Sequence, residues 1–225
     1  MFRDIKIATH KQEKEEIYKF RYQIYIEEMH RSCHADRENK VLLDSMDSEK
    51  SVLVYVKHIN NQVIATARIN YRRNSKFRFE EEYGIKEFLP YFPNFISNTS
   101  KLMIHKDYRH NRITLNFLNY LFKLVLKAGI VFDFIDCVEP LYKFYSKLGY
   151  RRYKNNFIHP EFGESVPMVL CLTDKKYLQK IGSPFHKILE NYISSLDFKS
   201  RQKHLVSDPL PSQLLQQIIS KNLIC

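Results

Sequence analysis

The sequence predicts a mixed α/β domain followed by a helical extension, on three observations. From Thr99 to Tyr150 the chain reads strand, basic turn, helix, strand, helix. Shorter apolar runs on both sides have the length and flanking turn residues of further strands, so a mixed sheet surrounds that unit. After Asp174 the strand pattern stops and three helical segments follow. The expected division is therefore an α/β domain over residues 1–174 and a helical extension over 175–225.

Taken in order, Asp4–Thr9 alternates as a first strand does, and Gln12-Glu-Lys-Glu-Glu16 places acid where a helix dipole favours it. In that helix Ile17, Phe20 and Ile24 share one stripe, with Arg21, Tyr25 and Glu28 on the next. The polar segment Arg31–Ser51 reads as loop. Ser51–Ile59 and Gln62–Ile69 are strands joined by Asn60-Asn61, a pair that tolerates the positive φ of a tight hairpin. Glu80–Leu89 reads as a short helix stopped by Pro90. Thr99–His105 is a buried strand, and Ile113–Lys127 a helix with a wide apolar stripe ended by Gly129. Ile130–Cys137 is a strand, and Pro140 opens a helix that ends at Gly149. Arg151–Ile158 and Val166–Thr173 read as closing strands. Lys175–Ile181, Pro184–Leu196 and Ser212–Leu223 follow as helices. Leu210, Leu214, Leu215, Ile218, Ile219 and Leu223 form a stripe that must bury on the domain, a second copy or a partner.

The turn Lys106–Arg112 is the first chemical signal. Basic residues precede a helix whose unpaired N–H groups and dipole favour an anion, so the segment reads as a phosphate cradle. Arg109-His-Asn-Arg112-Ile-Thr114 resembles the first signature of the GNAT acyl-CoA N-acyltransferase superfamily, with the first basic residue kept and both glycines replaced. Phe144-Tyr-Ser-Lys-Leu-Gly-Tyr150 resembles the second signature more closely. The resemblance covers about residues 1–174 and implies a GNAT-like fold with the helical extension appended. It also implies that Arg109, Asn111, Arg112, Ile113 and Thr114 hold the donor phosphate, that Met103, Ile104 and His105 align its thioester arm, and that Tyr145 protonates the leaving thiolate.

Phe20–His30 resembles the first helix of the branch containing acyl-homoserine-lactone synthases and long-chain N-acyl amino acid synthases. On that resemblance Arg21 and Tyr25 shape the acyl and amine pockets. Leu43-Asp-Ser-Met-Asp47 resembles the branch's paired acids, so Asp44 and Asp47 hold an acceptor amine, pair with Arg21, or serve only as turn residues. Arg68 sits where the branch often has an arginine. A strand-end arginine is ordinarily solvated. The next strand departs from the pattern: where the synthases resemble Glu-x-Ser-Arg, this chain reads Asn98-Thr-Ser100-Lys101. Ser100 is kept, Lys101 preserves charge though not geometry, and Asn98 cannot take a proton. The base then falls to Asp44, Asp47, Glu28 or a water, or the substrate amine arrives neutral.

Composition frames these readings. The net charge of +11 favours acidic partners, and Lys123, Lys127, Lys143, Lys147, Arg151, Arg152 and Lys154 lie around the cradle in sequence. They suit an acidic acyl-carrier protein or merely line solvated helix faces. Arg112, in place of glycine, narrows the cradle and adds a cation, which suits the single phosphate of a phosphopantetheine arm as well as coenzyme A. The 15 tyrosines and 16 phenylalanines, with no tryptophan, must build any acyl pocket. No apolar run approaches the roughly 18 residues of a membrane helix, and the N-terminus lacks a signal-peptide core, so a cytoplasmic protein is expected. The cysteines Cys33, Cys137, Cys171 and Cys225 show no CxxC pair, and His30-x-x-Cys33-His34 lacks a second ligand pair, so no metal is expected. No nucleic-acid motif accompanies the charge.

The sequence therefore points to an acyltransferase that moves an acyl group from an acyl-carrier-protein or acyl-CoA thioester to the amine of an amino acid or related small molecule. An acetyl-CoA-dependent N-acetyltransferase and a non-catalytic binding module on the same fold are the alternatives. Oligomeric state is not legible.

Overall fold

Strand-period runs near the N-terminus fold into an antiparallel meander. In the computed structural model, which describes residues 2–31, 34–89, 91–196 and 211–223, β1 (Phe2–Ile7) pairs with β2 (Val52–His58) and β2 with β3 (Val63–Tyr71). The hairpin closes as its asparagines predict, with Asn61 at φ 72° and the His58 N–H donating to the Gln62 carbonyl at 2.8 Å. Leu53 lies opposite Arg68 and Tyr55 opposite Thr66, so these four share one face.

Helix α1 (Lys11–Tyr22) covers that face. Glu13 fixes its start by accepting the N–H groups of Thr9 at 2.8 Å and His10 at 3.0 Å. Ile17 packs with Ala8, Leu53 and Tyr55, while Phe20 and Ile24 pack with Met103. The helix runs on as a π-helical stretch, Gln23–Glu28, a wider winding often found at functional sites. Strand β4 (Ile96–Ile104) lies beside β3, and Lys101 adopts φ 52° within it, a left-handed conformation that interrupts the extended backbone.

The contacts divide the chain into two compact units, Met1–Arg78 with Asn98–Leu121 and Phe79–Ser97 with Phe122–Cys225. Helix α2 (Arg112–Lys127) begins in the first and finishes in the second, and its stripe Ile113, Phe117, Leu118, Leu121, Phe122, Val125 and Leu126 is buried as its periodicity predicts.

In the second unit β5 (Phe132–Cys137), β8 (Gly163–Cys171) and β6 (Arg151–Arg152) are neighbours in that order, and β7 (Phe157–His159) pairs with β8, all antiparallel. Helix α3 (Glu139–Leu148) carries Pro140 in its first turn and stops at Gly149, whose φ of 121° suits glycine. Helices α4 (Lys175–Lys180), α5 (Phe185–Ser195) and α6 (Pro211–Asn222) complete the unit. Its core is aromatic: the Phe88 ring meets Phe134 at 4.8 Å, Phe132 at 5.0 Å and Tyr153 at 5.5 Å, each edge to face. The overall class is the expected α/β fold, with helices at its C-terminal end.

Two elements differ from expectation, and a third takes one of its expected outcomes. Glu80–Leu89 holds only a 3-10 turn at Ile85–Phe88, because Gly84 at φ 57° breaks the helical path. The strand expected over Arg151–Ile158 is two short strands, β6 and β7. The C-terminal stripe buries Leu215 and Ile218 within the chain itself. Pro90, Cys33, Leu210 and Cys225 lie outside the described residues. Among the described residues no helix is long and apolar enough to cross a membrane, and no group of three or more His, Cys, Asp and Glu side chains is placed to hold a metal.

Candidate active site

The first unit gathers six of the predicted polar residues into one buried network. Arg21 is one helical turn beyond Ile17, so the packing of Ile17 on β2 carries its side chain down to the sheet. There Arg21 Nη1 donates to Asp47 Oδ1 at 2.8 Å, and both side chains have no exposure to solvent. Asp47 Oδ2 faces Arg68 Nη1 at 3.0 Å and also accepts the Asp44 N–H at 3.0 Å. Arg68 Nη1 donates to Asp44 Oδ1 at 2.5 Å, and its Nε donates to Ser100 Oγ at 3.2 Å. Lys101 Nζ is 3.4 Å from Asp44 Oδ2 and 5.1 Å from the centre of the Tyr25 ring.

The loop is locked from below. Asp44 Oδ1 accepts the Met46 N–H at 2.9 Å, and the Met46 carbonyl accepts from Asn70 Nδ2 at 3.1 Å. Arg68, expected at a solvated strand end, is instead almost wholly buried, because the Asp44–Asp47 loop folds over β3 and supplies two carboxylates. The acid pair thus takes the arginine-pairing form that its spacing allowed. Burial would raise the Asp44 carboxyl, but Arg68 and Lys101 outweigh it and hold the group down at about 2. Arg21 Nε and Nη2 are buried with no hydrogen-bond partner, an expensive state for a guanidinium.

The turn before α2 is the second feature. The His105 N–H closes on the Ile64 carbonyl at 2.8 Å. Arg109 then folds back, its Nε donating to the Ile104 carbonyl at 2.9 Å and its Nη2 to Glu28 Oε1 at the end of the π-helical stretch. Asn111 caps the helix: its Oδ1 accepts the Ile113 N–H at 2.9 Å and its carbonyl the Thr114 N–H at 3.2 Å. Thr114 Oγ1 donates to the carbonyls of Tyr108 at 2.8 Å and Arg109 at 2.9 Å. Arg112 is exposed, with no ion-pair partner among the described residues.

Tyr145 belongs to the second unit, on α3. It is half-buried, with its ring 5.1 Å from Phe144 and 5.8 Å from Tyr150. Tyr150 itself is committed, its hydroxyl donating to buried Asp133 at 2.6 Å, and burial pushes that phenol up. The Arg109–Glu28 pairing was missed because the partners are far apart in sequence; the only signal was Glu28 on the same helical stripe as Arg21 and Tyr25.

The α/β architecture that carries the kinked β4 and the capped turn before α2 is shared with solved structures of GNAT fold. Residues 20–119 match the family model for the acetyltransferase (GNAT) domain. Solved structures similar to this chain include FeeM, an N-acyl amino acid synthase from uncultured soil microbes, at 9% identity, TM-score 0.63, and coverage of 84% of this chain and 99% of FeeM. The AHL synthase LasI aligns at 14% identity and TM-score 0.61, over 80% of this chain and 95% of its own. BjaI, a CoA-dependent acyl-homoserine lactone synthase solved with SAM and isopentyl-CoA, aligns at 16% identity and TM-score 0.58, over 78% of this chain and 84% of its own. No curated protein matches by sequence.

Proposed function

We propose that the chain transfers an acyl group from a phosphopantetheine thioester, favouring an acyl-carrier protein over coenzyme A, to the amine of an amino acid or related small molecule. The observation that carries this reading is the charge of the buried network. Three cations, Arg21, Arg68 and Lys101, face two carboxylates, Asp44 and Asp47, and one edge of Arg21 is unbonded. Such a site favours an acceptor that brings a negative group of its own, as an amino acid does. Exposed Arg112 then meets the donor phosphate, N–H groups near Met103–His105 polarise the thioester carbonyl, and Tyr145 protonates the leaving thiolate.

The carrier protein is supported by α3, which presents Leu141 and Phe144 beside Lys143 and Lys147, all exposed, a surface suited to an acidic amphipathic helix. Arg151 contributes less, since it pairs with Asp174 at 3.0 Å and stacks over Tyr177 at 4.2 Å. The cytoplasm, where both co-substrates are made, is the compartment this reading requires.

The test is thiol release and product mass with one amino acid pool, offered either acetyl-CoA or a long-chain acyl-carrier protein, with each amino acid repeated as its methyl ester. Turnover from the carrier protein that fails with the esters supports the reading. Turnover from acetyl-CoA alone supports an ordinary N-acetyltransferase. The binding-module alternative draws on Asn98 and on the Ile113 N–H already taken by Asn111; silence from both donors would favour it.

A further inference from the structure

The proposed acyl transfer needs a proton acceptor, since an amino acid arrives as an ammonium and only the free amine attacks a thioester. Asn98 cannot serve. Asp44 is held at about 2 by Arg68 and Lys101, and Asp47 is wholly buried between Arg21 and Arg68 with both oxygens bonded. Both carboxylates are thus engaged by the buried cations.

Glu28 differs from both. Its side chain is 28% exposed and pairs with one guanidinium, Arg109, itself 39% exposed. Arg109 is tied by its Nε to the Ile104 carbonyl, in the stretch of β4 assigned to the thioester arm. Glu28 therefore stands one side chain away from that stretch, at the end of the same helical run that carries Arg21 and Tyr25 on the acceptor side. Arg109 is also the basic residue of the cradle. The carboxylate of Glu28 occupies the position on it that a phosphate oxygen would take.

We propose, on the reading of the preceding section, that Glu28 is the proton acceptor for the acceptor ammonium and that it is masked by Arg109 until the donor phosphate takes Arg109 over. Phosphate binds Arg109 and releases the Glu28 carboxylate, and the carboxylate takes one proton from the ammonium. The neutral amine attacks the thioester carbon, the C–N bond forms and the C–S bond breaks. Tyr145 gives its proton to the thiolate and recovers one from the amide nitrogen, while Glu28 passes its proton to solvent. Acceptor chemistry is thus withheld until a donor is seated.

Glu28→Gln tests this, with folding checked by its thermal melt. The variant loses the base but also frees Arg109, so kcat falls roughly 100-fold while the donor KM falls rather than rises. The loss shrinks as pH is raised through the titration of the amine, and it vanishes with methoxyamine, which is already neutral at pH 7. Unchanged kcat, a loss that neither high pH nor methoxyamine repairs, or a raised donor KM each overturns the proposal. Calorimetry with coenzyme A gives a readout independent of turnover: tighter binding by Glu28→Gln supports the mask, and equal or weaker binding refutes it. Absence of wild-type turnover would remove the acyl-transfer reading and its proton step together, leaving calorimetry to decide the masking.

Discussion

Replacing Asp47 by asparagine keeps the shape of the side chain and removes its charge from the centre of the buried network. The carboxylate lies 2.8 Å from Arg21 and 3.0 Å from Arg68, and none of its side chain is exposed. Each contact at about 3 Å is worth about 5 kcal/mol at an effective dielectric near 20. Much of that is offset because the carboxylate no longer has to be desolvated, so the net loss expected for orphaning buried cations is about 3–5 kcal/mol. For a chain of this size that lowers Tm by on the order of 10 °C. Urea and thermal unfolding followed by far-UV circular dichroism will measure it, since the chain has no tryptophan to report by fluorescence. The double variant Arg21→Met with Asp47→Asn is expected to recover part of the loss, because it removes a cation along with its counter-charge. Asp47→Asn within 1 kcal/mol of wild type, or a double variant worse than the sum of its singles, would refute the account of the network as mutually compensating charges.

Acid will unlock the same loop. The Asp44 carboxyl is lowered from 3.8 to about 2, so its contribution is present above pH 4 and lost as pH falls through about 2; a urea series across that range should show a loss of about 2 kcal/mol that is absent in Asp44→Asn. Gly149→Ala should cost about 2–3 kcal/mol, because φ is 121° and the new Cβ would sit 2.5 Å from Leu178 Cδ2 and 3.0 Å from Leu170 Cδ1; an unchanged urea midpoint would count against it. Tyr145→Phe should lower kcat roughly 100-fold without moving the melt, and unchanged turnover would remove it as the acid.

Much of the fold was legible because it is written in local periods. The α2 stripe, the Asn60-Asn61 hairpin and the Pro140 and Gly149 boundaries of α3 each follow from a few neighbouring residues. Glu80–Leu89 was misread because its helical composition is overruled by the positive φ of one residue, Gly84. The site was legible by residue type but not by connection. Nothing local told that Arg68 is buried, since that depends on a loop 24 residues away folding over its strand. Nothing local told that Glu28 meets Arg109 across 81 residues.

The departures from the family signatures acquire a common physical sense once these connections are known. Glycines in the cradle turn would leave backbone N–H groups open to a phosphate. Here Asn111 takes up two of them at the Ile113 and Thr114 positions, and Arg112 projects a cation into solvent instead. On the proposed reading, donor recognition moves from backbone to side chains, and the carboxylate missing at Asn98 has its proposed counterpart in Glu28, paired with Arg109. A site of this kind binds its donor through exchangeable ion pairs, so donor affinity should weaken with salt more steeply than in a backbone cradle. A donor KM indifferent to ionic strength would mean that Arg109 and Arg112 do not hold the phosphate, whatever the fold shares with its neighbours.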